Sequence, residues 1–193
     1  MGKMKVWFVL LLLVCLTITA VRICAESPKD QSAFTIREVE PQVVLYTIHR
    51  GSYEQAGKAI GKLYELAGRK GIPPCGWAFF VYLNNPQNVS SEHWLTEIRI
   101  PVAKDALRLT GTLGKMTDVK ELPAIKVAVA VKQIGQADPG YVYKNLGAWI
   151  LKQNYIAVGS PCEKFLTNAA TGNYADMKSE IMIPIRKHQV NSP

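Results

Sequence analysis

The chain has 193 residues, 48% of them hydrophobic, with 23 Lys and Arg against 15 Asp and Glu, a formal net charge of +8. That length suffices for a core without metal or disulfide support. The basic residues are scattered with acids between them, which excludes a nucleic-acid footprint. The absence of a CxxC motif and the wide spacing of His49, His93 and His188 argue against a metal centre.

In chain order, Lys3 and Lys5 precede an apolar run at residues 6–18, and small residues follow at Thr19, Ala20 and Ala25. This describes an export signal cut after Ala25. An uncleaved anchor is the alternative, because apolar character continues to Ile23. Arg22 interrupts it, however, and a spanning helix needs about 20 apolar residues. The expected location is therefore outside the cytoplasm, with membrane attachment only if residues 1–25 are retained. Removing them leaves 20 basic side chains (23 − 3 = 20) and 15 acidic ones, net +5. It also leaves two cysteines, Cys75 and Cys162. A disulfide and two thiols are both open readings, since sequence does not supply the geometry of a bridge.

Residues 26–193 read as one domain in two copies, 34–104 and 118–188, each strand, helix, strand, strand. The segment 43–48 is rich in β-formers. Ser52 with Gln55 forms a capping box, and Ala56, Ala59, Ile60, Leu63, Leu66 and Ala67 form one apolar helical face. Gly71 is placed to end that helix in the left-handed conformation. Strands at 79–83 and 95–102 follow, joined by Asn84-Asn85-Pro86. In the second copy Ile125, Val127, Val129 and Val131 alternate as a strand. Asp138 and Pro139 begin a helix with the stripe Val142, Leu146, Trp149 and Ile150, and Asn154 ends it. The copies share one offset, 159 − 76 = 184 − 101 = 83, which aligns Gly76 with Gly159, Tyr82 with Phe165, Glu97 with Glu180 and Pro101 with Pro184.

Strand residues alternate between faces. Ile98, Ile100 and Val102, and their copies Ile181, Ile183 and Ile185, should pack under the helices. Glu97 and Glu180 then point to the other face. Phe80 with Tyr82, and Glu163 with Phe165, are expected on that same carboxylate-bearing face, making a site for a flat apolar or cationic molecule.

These motifs resemble the GyrI-like, or AraC-type effector-binding, family. The resemblance rests on Gly51-Ser52-Tyr53, on Gly76, Phe79 and Tyr82, on Glu97-Ile98-Arg99-Ile100-Pro101-Val102, and on the second-copy segments beginning at Pro161 and Glu180. It implies an α+β fold: duplicated βαββ units forming a concave antiparallel sheet, with two helices on one face and a pseudo-two-fold cleft for an organic ligand. Trp77-Ala78 stands where the family commonly has two prolines, and Phe165 where it has a tyrosine. A leader occupies the end where many relatives carry a DNA-binding domain.

The expected function is an exported small-molecule binding protein, its ligand held by Glu97, Glu180, Tyr82, Phe80, Trp77, Trp94, Phe165 and Glu163. A hydrolase of strained electrophilic molecules is the alternative, with Glu97 activating water and Tyr82 as proton donor. A membrane-anchored adaptor is a third reading. No cofactor, metal or nucleic-acid partner is expected.

Overall fold

A computed structural model describes residues 34–133, 139–166 and 178–189. The leader at 1–25, the polar stretch 26–33, the Asp138 cap and residues 190–193 lie outside them.

Among the described residues there are nine strands: β1 (Thr35–Val39), β2 (Gln42–Arg50), β3 (Phe79–Tyr82), β4 (Leu95–Val102), β5 (Thr117–Leu122), β6 (Ile125–Gln133), β7 (Tyr155–Ala157), β8 (Cys162–Phe165) and β9 (Lys178–Lys187). Two α-helices accompany them, α1 (Tyr53–Arg69) and α2 (Pro139–Lys152). One curled antiparallel sheet runs through both copies in the order β1-β6-β9-β8-β3-β4-β2-β5, and β7 pairs with β9.

The helices follow from the apolar stripes. On α1, Ala56, Leu63 and Ala67 are buried against the sheet. Gly71 ends it at φ +63, with Ile72 N–H bonding to Ala67 O and Gly71 N–H to Gly68 O, a Schellman closure. Ser52 is the N-cap, but its side chain makes no capping bond, so the expected box with Gln55 is not formed. Gln55 meets Ser52 through its backbone N–H, which donates to Ser52 O. On α2, Val142, Leu146 and Ile150 are buried, and Asn154 turns the chain at φ +61.

Three strands, β1, β5 and β7, were not anticipated. β1 and β5 are short and mostly polar; Ile36 and Val119 enter the helix-side cores, while Val39 and Leu122 pack against the smaller apolar clusters that contain Val127 and Val44. Both are edge strands, and each joins the opposite copy. β1 pairs with β6, Thr35 opposite Val129, and β5 pairs with β2, Asp118 opposite Tyr46. These registers are related by the same 83-residue offset, so the first strands are exchanged between copies.

The offset extends to packing. A Cβ on Gly76 would lie 3.1 Å from Cγ of Pro101, and one on Gly159 would lie 3.1 Å from Cγ of Pro184. The repeated Gly and Pro are thus one close approach made twice.

Two apolar cores lie on the helix-bearing face. α1 covers Leu45, Ile98 and Ile100, and α2 covers Ala128, Ala130, Ile181 and Ile183. The principal sheet contacts of α1 are with β2 and β4, and those of α2 with β6 and β7. The central strands β3 and β8 run along the seam between them.

Candidate functional site

At the seam, β3 and β8 pair so that Phe80 lies opposite Glu163. These two residues are also equivalents under the 83-residue offset. The pseudo-two-fold axis therefore passes between them, a point where the two copies present different chemistry to each other.

Directly opposed residues of antiparallel strands share a face. Phe80 is opposite Ile98 and Glu163 is opposite Ile181, so Phe80, Tyr82, Glu163 and Phe165 lie on the helix-bearing face. This corrects the expectation that they share a face with Glu97 and Glu180. Alternation within each strand was right, but the registers set β3 and β8 the other way up relative to β4 and β9.

Glu163 is 6% exposed and holds three partners. Tyr82 Oη donates to Oε2 at 2.9 Å, Ser179 Oγ donates to Oε1 at 2.6 Å, and Lys132 Nζ stands 2.9 Å from Oε1. Burial sustains such a carboxylate only with partners of this kind. Beside it, the Tyr53 ring meets Tyr82 edge-on at 5.2 Å and stacks on Trp94 at 4.4 Å. On the other flank, Phe80 and Phe165 make a T-shaped pair at 5.5 Å.

The two flanks are copies of one contact. Tyr82–Glu163 and Phe165–Phe80 are equivalent pairs, one polar and one apolar. Ser179 likewise corresponds to Thr96. Where Ser179 finds Glu163, the equivalent position 80 is a phenylalanine with no acceptor to offer, and the Thr96 hydroxyl is buried without a hydrogen-bond partner among the described residues. Lys132 corresponds to His49, which instead contacts Ser52 O through Nε2.

Burial pushes the Tyr82 phenol far up, and the Glu163 charge, Tyr143 and the hydrogen bond to Glu163 act the same way. Burial, followed by the Glu163 charge, raises Tyr143 as well. Both phenols therefore remain protonated. Tyr143 packs on the α2 core beside Ile181, which lies opposite Glu163, and its hydroxyl is buried without a hydrogen-bond partner among the described residues.

Sequence reasoning missed Lys132, Ser179 and Tyr143, and used Tyr53 only as part of the Gly51-Ser52-Tyr53 motif. The offset itself held a signal for the first two, because it aligns Ser179 with Thr96 and Lys132 with His49 on strands flanking the seam. No sequence signal marked Tyr143. Trp77, by contrast, is 50% exposed ahead of β3 and is not part of the cluster.

Glu97 and Glu180 occupy the opposite face, as expected, and are 6% and 7% exposed. Each is held by cations. Lys120 Nζ lies 2.6 Å from Glu97, which Arg99 also contacts, and Arg37 forks onto Glu180. Lys120 and Arg37 are again equivalents, on the exchanged strands β5 and β1. These glutamates tie the exchanged strands to the opposite copy.

Cys75 and Cys162 are free thiols. Cys75 is exposed, while Cys162 sits at the β8–β9 pairing with Sγ 3.5 Å from Met182 O.

Residues 18–103 match the family model of the GyrI-like small molecule binding domain. The C-terminal domain of EcmrR is similar over 80% of this chain and 97% of that one, at 16% identity and a TM-score of 0.67. This is a GyrI-like fold. A hydrolase from Listeria innocua is also similar, at 10% identity and a TM-score of 0.59, over 80% of this chain and 92% of its own. In the EcmrR–DNA complex the chain spans only 57% of the EcmrR polypeptide. No curated protein matches by sequence. The GyrI-like match supports binding of a small molecule as the general activity.

Proposed function

We propose that this chain is an exported receptor for a flat organic molecule. The ligand sits on the helix face over β3 and β8, between Tyr53 and Trp94 on one side and Phe165 on the other. The observation that carries this reading is the buried Glu163 at the pseudo-axis, bonded by Tyr82, Ser179 and Lys132 and flanked by half-buried rings. Such convergent polar groups among aromatics are what small-molecule sites are made of. The DNA contact of EcmrR is a property of that protein, and the ligand of this chain is its own.

Hydrolysis is less well supported. Tyr82 and Glu163 resemble an acid and carboxylate pair, but Glu163 already accepts from three groups. That suits a fixed recognition group better than a base that must take a proton.

Two-ring aromatic probes should quench Trp94 emission and raise the melting temperature of the chain. Tyr53→Ala should weaken that binding by about tenfold, the equivalent of ~1.4 kcal/mol for a lost aromatic wall. If no aromatic probe changes either signal, the binding reading is wrong. Export is tested separately, by N-terminal sequencing of protein recovered outside the cytoplasm. A start at Glu26 supports a cleaved leader, and an intact Met1 in membranes supports an anchor.

A further inference from the structure

The chemistry of the Glu163 cluster narrows the ligand class, and the argument rests on the binding reading above. A carboxylate in an aromatic cleft suits a cation when its charge is available. Here it is not. Lys132 is only 10% exposed at its side chain and stands 2.9 Å from Glu163 Oε1, so the chain supplies its own counter-ion from β6. With Tyr82 and Tyr143 both neutral, the cluster carries no net charge.

The remaining polar demand is of a different kind. Tyr82 and Ser179 spend their hydrogens on Glu163. The Tyr143 hydroxyl is buried and donates to nothing among the described residues, and its side chain packs on the core under α2 that includes Ile181, the residue opposite Glu163. A buried donor without an acceptor is costly, and a ligand that supplies the acceptor removes that cost.

We infer that the cleft selects an uncharged, flat aromatic molecule bearing a hydrogen-bond acceptor for Tyr143, and that Lys132 is the residue that excludes cations. A positively charged ligand has to displace Lys132 from Glu163 or sit beside it, and both are unfavourable. An apolar ligand of the same shape leaves Tyr143 unsatisfied.

Three probes on one two-ring frame separate these cases by calorimetry on the full chain: N-methyl-2-quinolone, the N-methylquinolinium cation and 1-methylnaphthalene. The quinolone is expected to bind at least tenfold more tightly than either of the others. Tyr143→Phe should bring the quinolone to within about threefold of methylnaphthalene, whose own affinity is unchanged. Lys132→Met should raise quinolinium affinity by tenfold or more, and Lys132→Arg, which keeps the charge, should not. The Tyr143→Phe arm stands by itself if Lys132→Met fails to fold. Quinolinium binding to the parent as tightly as the quinolone, or a Tyr143→Phe variant that binds the quinolone unchanged, overturns the inference while binding itself stands. If none of the three probes binds, the binding reading falls and the inference with it.

Discussion

Thr96 is the residue where the duplication leaves a visible cost. Its copy Ser179 has Glu163 to bond, whereas the equivalent of Glu163 in the first copy is Phe80, and the Thr96 hydroxyl is unsatisfied among the described residues. Thr96→Val removes the hydroxyl and keeps the shape, so it should stabilise the fold by about 1 kcal/mol, read as a higher denaturant midpoint. Ser179→Ala should do the opposite by a similar amount, because it withdraws one of three partners from a buried carboxylate. The thiols offer another contrast. Burial, the largest influence, pushes Cys162 up to about 11. Its folded state holds a proton that the unfolded thiol loses near 9. The contribution of Cys162 to stability is therefore fully present below pH 9 and fades as pH rises towards 11. At pH 8, alkylation followed by peptide mapping should find Cys75 modified quickly and Cys162 only after unfolding.

At the scale of elements, the two pseudo-equivalent ion pairs hold the exchanged edge strands. Lys120 on β5 reaches across β2 to Glu97 on β4, and Arg37 on β1 reaches across β6 to Glu180 on β9. The carboxylates are buried while the cations are partly exposed, so each pair contributes less than a fully enclosed one. Glu97→Gln and Glu180→Gln are expected to lower stability by about 1–2 kcal/mol each. Ligand affinity at the Glu163 cluster should stay the same, since these side chains face away from it. A lowered melting temperature with unchanged probe binding is the expected pair of results. Binding lost without destabilisation would return these glutamates to the site.

For the whole molecule, the exchange of β1 and β5 makes the copies interdependent. The core under α1 includes Val119 of the second copy, and the core under α2 includes Phe34 and Ile36 of the first. Two fragments cut in the exposed connection, 26–110 and 111–193, should each lack a cooperative melt by circular dichroism. Mixed together they should recover one. A cooperative transition in either fragment alone would contradict this, because each lacks an edge strand and part of a core.

Much of this was legible in the chain itself. The helical stripes of α1 and α2, the alternating Ile rows, the turns at Gly71 and Asn154 and the 83-residue offset are local patterns, governed by backbone period and side-chain size. They sufficed for the two copies, the α+β class and the face on which Glu97 and Glu180 lie. Register between strands is not local. Whether Phe80 shares a face with Ile98 or with Glu97 depends on which residues pair across the sheet, and a shift of one reverses the answer. The pairing of β8 with β3 and β9, and of β9 with β6, buried Glu163 at the seam and brought Tyr82, Ser179 and Lys132 to it. The same tertiary pairing gave Glu97 and Glu180 their cations from strands some twenty residues and more than a hundred residues away in sequence. The sequence alone determined the repeat and its elements. Only the folded sheet decided which glutamate stands at the axis, because burial and charge pairing are properties of neighbours brought together by folding.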